Sequence, residues 1–316
     1  MTGADLSVQI GNLILNNPVM PASGTFSEPL AEFIHLNDLG ALVTKSITLD
    51  VREGNSSPRL AETPAGLLNA IGIPSKGVQK FIAETLPFYA ALTVPLIPSI
   101  SADTGDDFAR LASILEKQSV VRGLEVNISC PNLEDDGKSF AMDAEQTYRV
   151  IRKVRQATSL PVWAKLSPNT QSVVEVALAA QTAGADAVVV ANTLLAMAID
   201  VETRRPKLGN VTGGLSGPAI KPIILRMVYQ VAKAVSIPII GVGGIRSAQD
   251  ALEYLMAGAT AIQVGTYNFV NPRGMVDVIA GMQDYLQRHG CSSVREIIGA
   301  ALSPLTGAEE KQKTAG

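Results

Sequence analysis

The sequence is poor in histidine and cysteine, with only 2 residues of each among 316. Nucleophilic cysteines usually need a histidine partner, and zinc sites need several His or Cys ligands, so both kinds of site are difficult to build here. Cys130 and Cys291 lie far apart in the sequence, so we expect no disulfide framework. This cysteine usage fits a reducing compartment.

Charged residues are also scarce, at 17% of the chain, and the 26 basic and 29 acidic residues nearly balance. A hydrophobic fraction of 47% predicts an ordered core, and the charge balance argues against binding nucleic acid through bulk charge. No apolar run reaches the roughly 18 residues that span a bilayer. The first residues lack the features of a signal peptide, so we expect a cytoplasmic protein with no membrane contact. The polar residues 306–316 are expected to form a flexible tail.

Short apolar, β-branched segments recur along the chain and alternate with amphipathic helical patterns. The predicted strands are 17–23, 41–47, 95–101, 123–129, 161–167, 187–193, 238–244 and 261–266. Eight is the number at which parallel strands joined by helices close into a (β/α)8, or TIM, barrel. An open doubly wound sheet is the alternative, but the first strand is not followed by a G-x-G-x-x-G turn. We therefore predict an α/β protein with a TIM barrel.

Three additions to the plain barrel are predicted. Residues 6–15 alternate apolar and polar side chains about a Gly-Asn turn, which is typical of a β-hairpin. Long segments follow the second and sixth strands, over roughly 48–80 and 194–221. Because they follow the carboxyl ends of strands, these insertions are expected on the face where barrels build active sites. We assign residues 1–305 to a single domain.

Polar side chains and glycines stand at the carboxyl ends of the predicted strands. They are Ser23, Lys45, Ser46, Ser99, Asn127, Ser129, Lys165, Asn192, Thr193, Gly243, Gly244, Gly265 and Thr266. A lysine in an apolar strand is costly unless an anion receives it, so Lys45 and Lys165 indicate an anionic ligand. Glycines after strands seven and eight favour a phosphate site, although they could instead serve only as tight turns.

The segment NISCPN (127–132) places Cys130 directly after the fourth strand, where a thiol could act as a nucleophile or a general base. His35 and His289 fall in predicted helices or their flanks, away from the strand ends. A Cys–His hydrolase is therefore disfavoured, and an acid–base role beside a cofactor is more natural. Cys291 has no motif around it and is interpreted as structural.

Several segments, taken together and in order from about residue 5 to 290, resemble the class 1 dihydroorotate dehydrogenases. They are TKSIT (44–48), RLAETPAGLLNAIG (59–72), NISCPN (127–132), AKLSPN (164–169), ANT (191–193), TGGLSGPAIKP (212–222), IIGVGGI (239–245) and VGT (264–266). The segment PASG (21–24), with the long glycine-rich segment, is most similar to the B-type catalytic subunit.

The resemblance implies an FMN enzyme that oxidises (S)-dihydroorotate to orotate in pyrimidine (UMP) biosynthesis. Cys130 would remove the C5 proton, a hydride would pass from C6 to flavin N5, and Lys45 would lie between flavin and substrate. The implied substrate-binding residues are Lys45, Asn69, Ala70, Ile71, Gly72, Ile73, Asn127, Asn192 and Thr193. The implied FMN-binding residues are Ser23, Lys45, Ser46, Ser99, Asn127, Lys165, Ala191, Gly217, Gly243, Gly244, Gly265 and Thr266. Lys165 would lie near the N1/O2 edge of the flavin.

Two positions depart from the family pattern, since Ser99 stands where many relatives carry Asn and Ala191 where a bulkier aliphatic residue is common. The resemblance also implies a homodimeric core with a partner subunit that carries FAD and a 2Fe–2S cluster and passes electrons to NAD⁺. This chain has no cysteine cluster for iron and no dinucleotide fingerprint, so those functions would belong to the partner. The alternatives are an A-type fumarate-dependent homodimer, a flavin barrel similar to dihydropyrimidine dehydrogenase, and a phosphate-sugar barrel without flavin.

Overall fold

The computed structural model describes residues 3–129 and 140–303, and the elements below lie in those ranges. The strands are β1 (Val8–Ile10), β2 (Leu13–Leu15), β3 (Val19–Pro21), β4 (Leu42–Val43), β5 (Leu60–Thr63), β6 (Gly66–Asn69), β7 (Leu96–Ile97), β8 (Ser99–Ile100), β9 (Leu124–Asn127), β10 (Val162–Lys165), β11 (Ala187–Val190), β12 (Leu194–Ala196), β13 (Ile199–Asp200), β14 (Arg205–Pro206), β15 (Gly213–Ser216), β16 (Ile239–Val242) and β17 (Ala261–Val264). The α-helices are α1 (Val78–Lys80), α2 (Leu86–Ala90), α3 (Gly105–Glu116), α4 (Ala144–Ala157), α5 (Val173–Thr182), α6 (Lys221–Ala232), α7 (Ala248–Met256) and α8 (Gly274–Arg288).

Parallel strands enclose the main apolar core, and each of the eight predicted strands contains an observed one. Seven form a sheet in the order β3-β17-β16-β11-β10-β9-β8, and β4 pairs in parallel with β7, which directly precedes β8. The N–H of Gly40 donates to the carbonyl oxygen of Val19 at 2.9 Å and joins the second strand position to the first. The predicted barrel is thereby confirmed, and the open doubly wound alternative is wrong.

The third strand position is divided into β7 and β8 by Pro98, which lacks the N–H that a continuous ladder needs. The two short strands pair with different neighbours: Leu96 and Ile97 lie opposite β4, and Ser99 and Ile100 lie opposite β9. The third strand therefore still links the second strand position to the fourth.

The N-terminal hairpin is observed as β1 and β2, paired antiparallel from Val8 opposite Leu15 to Ile10 opposite Leu13. Gly11 turns the chain with a φ of 60° and lies against Asp186, the residue that precedes β11. Because Asp186 marks the amino end of a barrel strand, the hairpin packs at the end of the barrel opposite the strand-end polar residues.

The helices that cover the barrel begin at polar caps, as their amphipathic patterns require. Thr104, Asp143, Ser172 and Ser247 each precede a helix, and each side chain accepts a hydrogen bond from a backbone N–H three residues on. Such caps typically contribute about 1 kcal/mol each. They fix where the helices start and therefore how the loops before them leave the strands.

The two insertions do not form separate loops but share one antiparallel sheet with the order β12-β15-β6-β5. The hairpin β5–β6 comes from the first insertion, and β12 and β15 come from the second. Leu68, Ala70 and Leu208 form a small second core beneath this sheet. The insertions thus cover the carboxyl end of the barrel together, because each buries the apolar face of the other.

Within the described ranges, no helix combines the length and the apolar character needed to cross a membrane. The predicted tail, residues 306–316, lies outside the described residues. The assignment of residues 1–305 to one domain stays a prediction.

Candidate active site

The structure brings the predicted strand-end residues to the same end of the barrel. Ser23 follows β3, Lys45 and Ser46 follow β4, Asn192 and Thr193 follow β11, and the paired glycines follow β16 and β17. Asn127 and Lys165 are the last residues of their strands, and Ser99 begins the two-residue strand β8. Because all these strands are parallel, their carboxyl ends necessarily face one mouth.

A chain of hydrogen bonds joins polar side chains across this mouth. Ser46 Oγ lies 3.0 Å from Ser99 Oγ, and Asn127 Nδ2 donates to Ser46 Oγ at 3.2 Å. Ser129 Oγ donates to Asn127 Oδ1 at 2.6 Å, and Asn192 Nδ2 donates to Ser129. The chain spans four strand positions and fixes the two asparagine amides. Ser129, which the sequence shows as a strand-end polar residue but which was not among the predicted binding residues, connects them.

The side chain of Lys165 crosses the barrel interior below the mouth and is only 4% exposed. Its ammonium group donates to Ser23 Oγ at 3.0 Å, to Glu125 Oε1 at 3.2 Å and to Gln263 Oε1 at 3.4 Å. Glu125 and Gln263 are fully buried, and the sequence reading missed both. The signal was nevertheless present, because an acidic residue in the apolar segment GLEVNIS is as costly as a lysine unless the two meet.

The first insertion places Asn69 at the mouth. Asn69 Nδ2 donates to the carbonyl oxygen of Gly214 at 3.2 Å, so the amide is held by the sheet that both insertions share. The segment that follows turns sharply, with a φ of 76° at Gly72 and 52° at Ile73. In the loop after β10, Asn169 Nδ2 donates to the carbonyl oxygen of Thr193 at 3.0 Å. Asn169 lies in the quoted AKLSPN segment but was not predicted as a site residue.

Two cations face the mouth from its first-insertion side. The surface of the Lys45 side chain is exposed, but the surrounding protein still desolvates its ammonium group in part. Arg59 adds a positive charge nearby. In that order, desolvation and the charge of Arg59 lower the pKa of the Lys45 ammonium. Arg59 itself is held by backbone carbonyls, including that of Glu53 at 3.3 Å. The pair would favour a ligand that carries negative charge.

The glycines after β16 and β17 form a narrow cradle with the turn after β15. A Cβ on Gly244 would lie 2.9 Å from the carbonyl oxygen of Gly217, and a Cβ on Gly217 would lie 2.8 Å from the Cα of Gly66. The backbone N–H groups of Gly244, Gly265 and Thr266 donate no hydrogen bond to another described residue. These donors, at the ends of strands seven and eight, fit a phosphate group.

The donor and acceptor set at the mouth also fits the ring of a flavin mononucleotide. Ser46 and the two asparagine amides offer both donors and acceptors to a ring that carries carbonyl oxygens and ring nitrogens, and Lys165 offers a positive charge. Ala191 is buried at the end of β11, where only its backbone is polar. The residues present therefore fit FMN: the glycine N–H groups would hold its phosphate, and Lys165 and the asparagine amides would hold its ring.

Cys130 lies outside the described residues, so its predicted role is untested by the geometry. Ser129, the residue before it, is described and belongs to the hydrogen-bond chain of the mouth. Cys291 is partly buried and packs against the main core, as its structural interpretation requires.

A (β/α)8 barrel with a glycine cradle after its last two strands and a buried lysine below its mouth is typical of barrel enzymes that bind a phosphate-containing cofactor. The sequence profile described as dihydroorotate dehydrogenase matches residues 5–286. The chain belongs to the dihydroorotate dehydrogenase family.

Three relatives show how close the similarity is. A protein of Geotalea uraniireducens is 49% identical over 95% of this chain. A protein of Bacteroides thetaiotaomicron is 48% identical over 94% of this chain, and each of these two matches covers 99% of the relative. A protein of Trichlorobacter lovleyi is 50% identical over 93% of this chain and 98% of its own length. All three are named dihydroorotate dehydrogenase B (NAD(+)), catalytic subunit.

Proposed function

We propose that this chain is the catalytic subunit of an NAD⁺-linked dihydroorotate dehydrogenase, which oxidises (S)-dihydroorotate to orotate in pyrimidine biosynthesis. One observation supports the proposal most strongly: the glycine cradle, Lys165 and the hydrogen-bonded asparagines lie together at one mouth of the barrel. The relatives named above support the substrate and the acceptor. Cytoplasmic location is part of the proposal.

FMN is the proposed cofactor, and when bound it supplies the acceptor for the hydride that leaves C6 of dihydroorotate. The backbone donors of Gly244, Gly265 and Thr266 would hold its phosphate. Lys165, fixed from below by Glu125, would place a positive charge near the N1/O2 edge. A positive charge there stabilises the negative charge that reduction brings to this edge.

The substrate would be held by side chains that the structure already orients. Asn127 and Asn192 are fixed through Ser129, and Asn69 is fixed through Gly214, so each amide can donate and accept in a defined direction. Lys45 and Arg59 would attract the carboxylate of dihydroorotate.

Cys130 is the proposed base. As a thiolate it would take the C5 proton while the C6 hydride leaves, and the C5–C6 double bond of orotate forms. The C5 proton is acidified by the adjacent carbonyl, so a positioned base suffices. Ser129 fixes the chain one residue before this thiol, which supports the assignment.

The partner would be a second polypeptide that carries FAD and a 2Fe–2S cluster, assembled on a homodimeric core of this chain. With only 2 Cys in the sequence, this chain cannot ligate such a cluster alone. The relatives are named as catalytic subunits, which supports the existence of a partner.

A spectroscopic experiment tests the proposal directly. The purified protein should show flavin absorbance, and dihydroorotate added without oxygen should bleach it. Reduction of NAD⁺ should then require an iron–sulfur flavoprotein partner. A colourless protein would refute the FMN site, a yellow protein that does not bleach would refute the substrate, and direct reduction of fumarate would replace the B-type assignment by the A-type.

A further inference from the structure

The ammonium group of Lys165 has three N–H donors, and the protein provides an acceptor for each. Ser23 accepts at 3.0 Å from the side of the mouth, and Glu125 and Gln263 accept at 3.2 and 3.4 Å from within the barrel. The strands that carry these residues lie at different positions around the barrel. The position of the ammonium group is therefore fixed from several directions.

Glu125 lies deeper in the barrel than the cofactor site. In the register of β9 and β10, Lys165 is opposite Asn127, whereas Glu125 is opposite Trp163, two residues nearer the amino ends of the strands. Glu125 is 0% exposed, and its contact nearest the mouth is with Lys165. It is suited to act on a bound cofactor only through that lysine.

Gln263 completes the arrangement by bridging the two charges. Its Nε2 donates to Glu125 Oε2 at 2.7 Å, and its Oε1 accepts from Lys165. The reversed amide would turn the NH2 group toward the ammonium and the oxygen toward the carboxylate, which both charges disfavour. Both carboxylate oxygens of Glu125 are thus occupied, one by each partner.

A buried carboxylate in this place needs a reason, because burying an ion pair often stabilises a fold no better than apolar packing does. Lys165 alone, without an opposing charge, would give the mouth an uncompensated positive charge. With Glu125 beneath it, the ammonium keeps its position but its field at the mouth is partly offset.

We propose that Glu125 is a positioning residue that holds the Lys165 ammonium at the flavin and, through its opposing charge, sets how strongly the site favours the reduced cofactor. This inference rests on the proposed FMN function. Neither the sequence motifs nor the strand-end positions indicate this role for Glu125 and Gln263.

The test is the midpoint potential of the bound flavin in the holoenzyme. Glu125→Gln keeps the size of the side chain and an acceptor for Lys165 but removes the negative charge. The two-electron equilibrium should move at least tenfold toward reduced flavin, which equals an upward shift of about 30 mV. Lys165→Met should shift the potential in the opposite direction. Glu175→Gln, which removes an exposed carboxylate on α5, should leave it unchanged.

The double variant separates an effect through Lys165 from a general one. In the Lys165→Met background, Glu125→Gln should have little or no effect on the potential, because the ammonium group through which Glu125 acts is absent. The inference is overturned if Glu125→Gln leaves the potential unchanged, or shifts it equally with and without Lys165. A merely structural role would lower thermal stability without moving the potential.

A second variant covers the case in which Glu125→Gln yields no folded holoenzyme. Glu125→Asp retains the charge but withdraws it from Lys165, so it should shift the equilibrium in the same direction by about threefold. An unchanged potential in this variant would then overturn the inference. Failure of the proposed function is distinguishable, since the wild-type protein would then bind no FMN or show no bleaching with dihydroorotate.

Discussion

Gly217 and Gly244 approach so closely that a Cβ on Gly244 would lie 2.9 Å from the carbonyl oxygen of Gly217. The same Cβ would lie 2.8 Å from the Cβ of Lys221, at the start of α6. The contact joins the turn after β15, which belongs to the second insertion, to the turn after β16, which belongs to the barrel. The proposed phosphate cradle is therefore built from both.

Substitution of Gly244 should separate cofactor binding from backbone strain. Gly244→Ala should raise the dissociation constant of FMN at least tenfold, because the new methyl group pushes the two turns apart. Gly290 is a matched control, since it has the same φ of +69° but nothing within 4 Å of an added Cβ. Gly290→Ala should cost about 1–2 kcal/mol of stability from the backbone alone and leave FMN affinity unchanged. The increase in flavin fluorescence on release measures the FMN affinity of both variants. Equal affinity in Gly244→Ala and Gly290→Ala would contradict the proposed cradle.

Lys45 should give orotate binding a distinctive pH dependence. Its pKa is lowered from the ordinary 10.5, so the ammonium loses its proton at a lower pH than an ordinary lysine and the attraction for a carboxylate then falls. Titration of the flavin spectrum with orotate should show that the affinity for orotate decreases as the pH rises toward the lowered pKa of Lys45. Arg59→Met removes one cause of the shift, so the decrease should move to higher pH, although affinity at neutral pH also falls.

The control for Arg59 lies on the same insertion. Lys76 is exposed and paired with Glu84 at 3.2 Å. Lys76→Met therefore removes a positive charge that has no role at Lys45. Its pH profile for orotate should match the wild type. An identical profile in Arg59→Met would show that Arg59 does not act on Lys45.

Cys130 should control the half-reaction with dihydroorotate. The rate of anaerobic flavin reduction should rise with pH through about 8.5, the ordinary pKa of a thiol, as the thiolate forms. Cys130→Ala should slow the reduction by at least about 100-fold, the lower range of general base catalysis. Cys291→Ser is the control and should react normally. A rate that is flat from about pH 6 to 9, or is unaffected by Cys130→Ala, would remove this residue from the mechanism.

Asp250 should stabilise the start of α7 in a pH-dependent manner. It accepts hydrogen bonds from the N–H of Arg246 at 3.0 Å and from Ser247 Oγ at 2.9 Å, and it pairs with Lys221. Burial, the largest influence, would raise the pKa of Asp250, but the hydrogen bonds from Lys221, Arg246 and Ser247 outweigh it and lower the pKa below 3.8. The stabilisation is therefore complete above pH 3.8 and is lost as the pH falls through the lower folded-state value.

Urea unfolding of the holoenzyme measures this contribution. Asp250→Asn should cost roughly 1–3 kcal/mol at pH 7, the range for losing a charged partner of buried donors, and the difference from wild type should shrink below pH 3.8. Asp106→Asn is the comparison, because Asp106 is 81% exposed and pairs with Lys153 at the surface. Its cost should stay below about 1 kcal/mol. A constant Asp250 difference down to pH 2 would contradict the assigned pKa direction.

The eight barrel strands and most of the proposed site were readable in the sequence. Strand segments such as 161–167 are apolar until their last residues, and barrel closure then requires those last residues to share one face. Lys165, Asn127 and Gly244 could therefore be assigned to one mouth without knowledge of their contacts. The helix-capping residues Thr104 and Ser247 were equally local, since each acts on a backbone N–H three residues away.

The long-range partners were not readable. Asn69 meets Gly214 across 145 residues, and the two insertions share a sheet whose register no local pattern specifies. Arg59 was quoted within a motif, but its effect on Lys45 depends on how the first insertion folds over the mouth.

The sequence by itself determined the barrel and the end at which its chemistry lies, because strand period and strand-end polarity are local properties. Only the tertiary structure decided that Glu125 and Gln263 meet Lys165 beneath that mouth. Their side chains come from strands that are distant in the sequence, and the need to pair a buried charge says that a partner exists without saying which residue provides it.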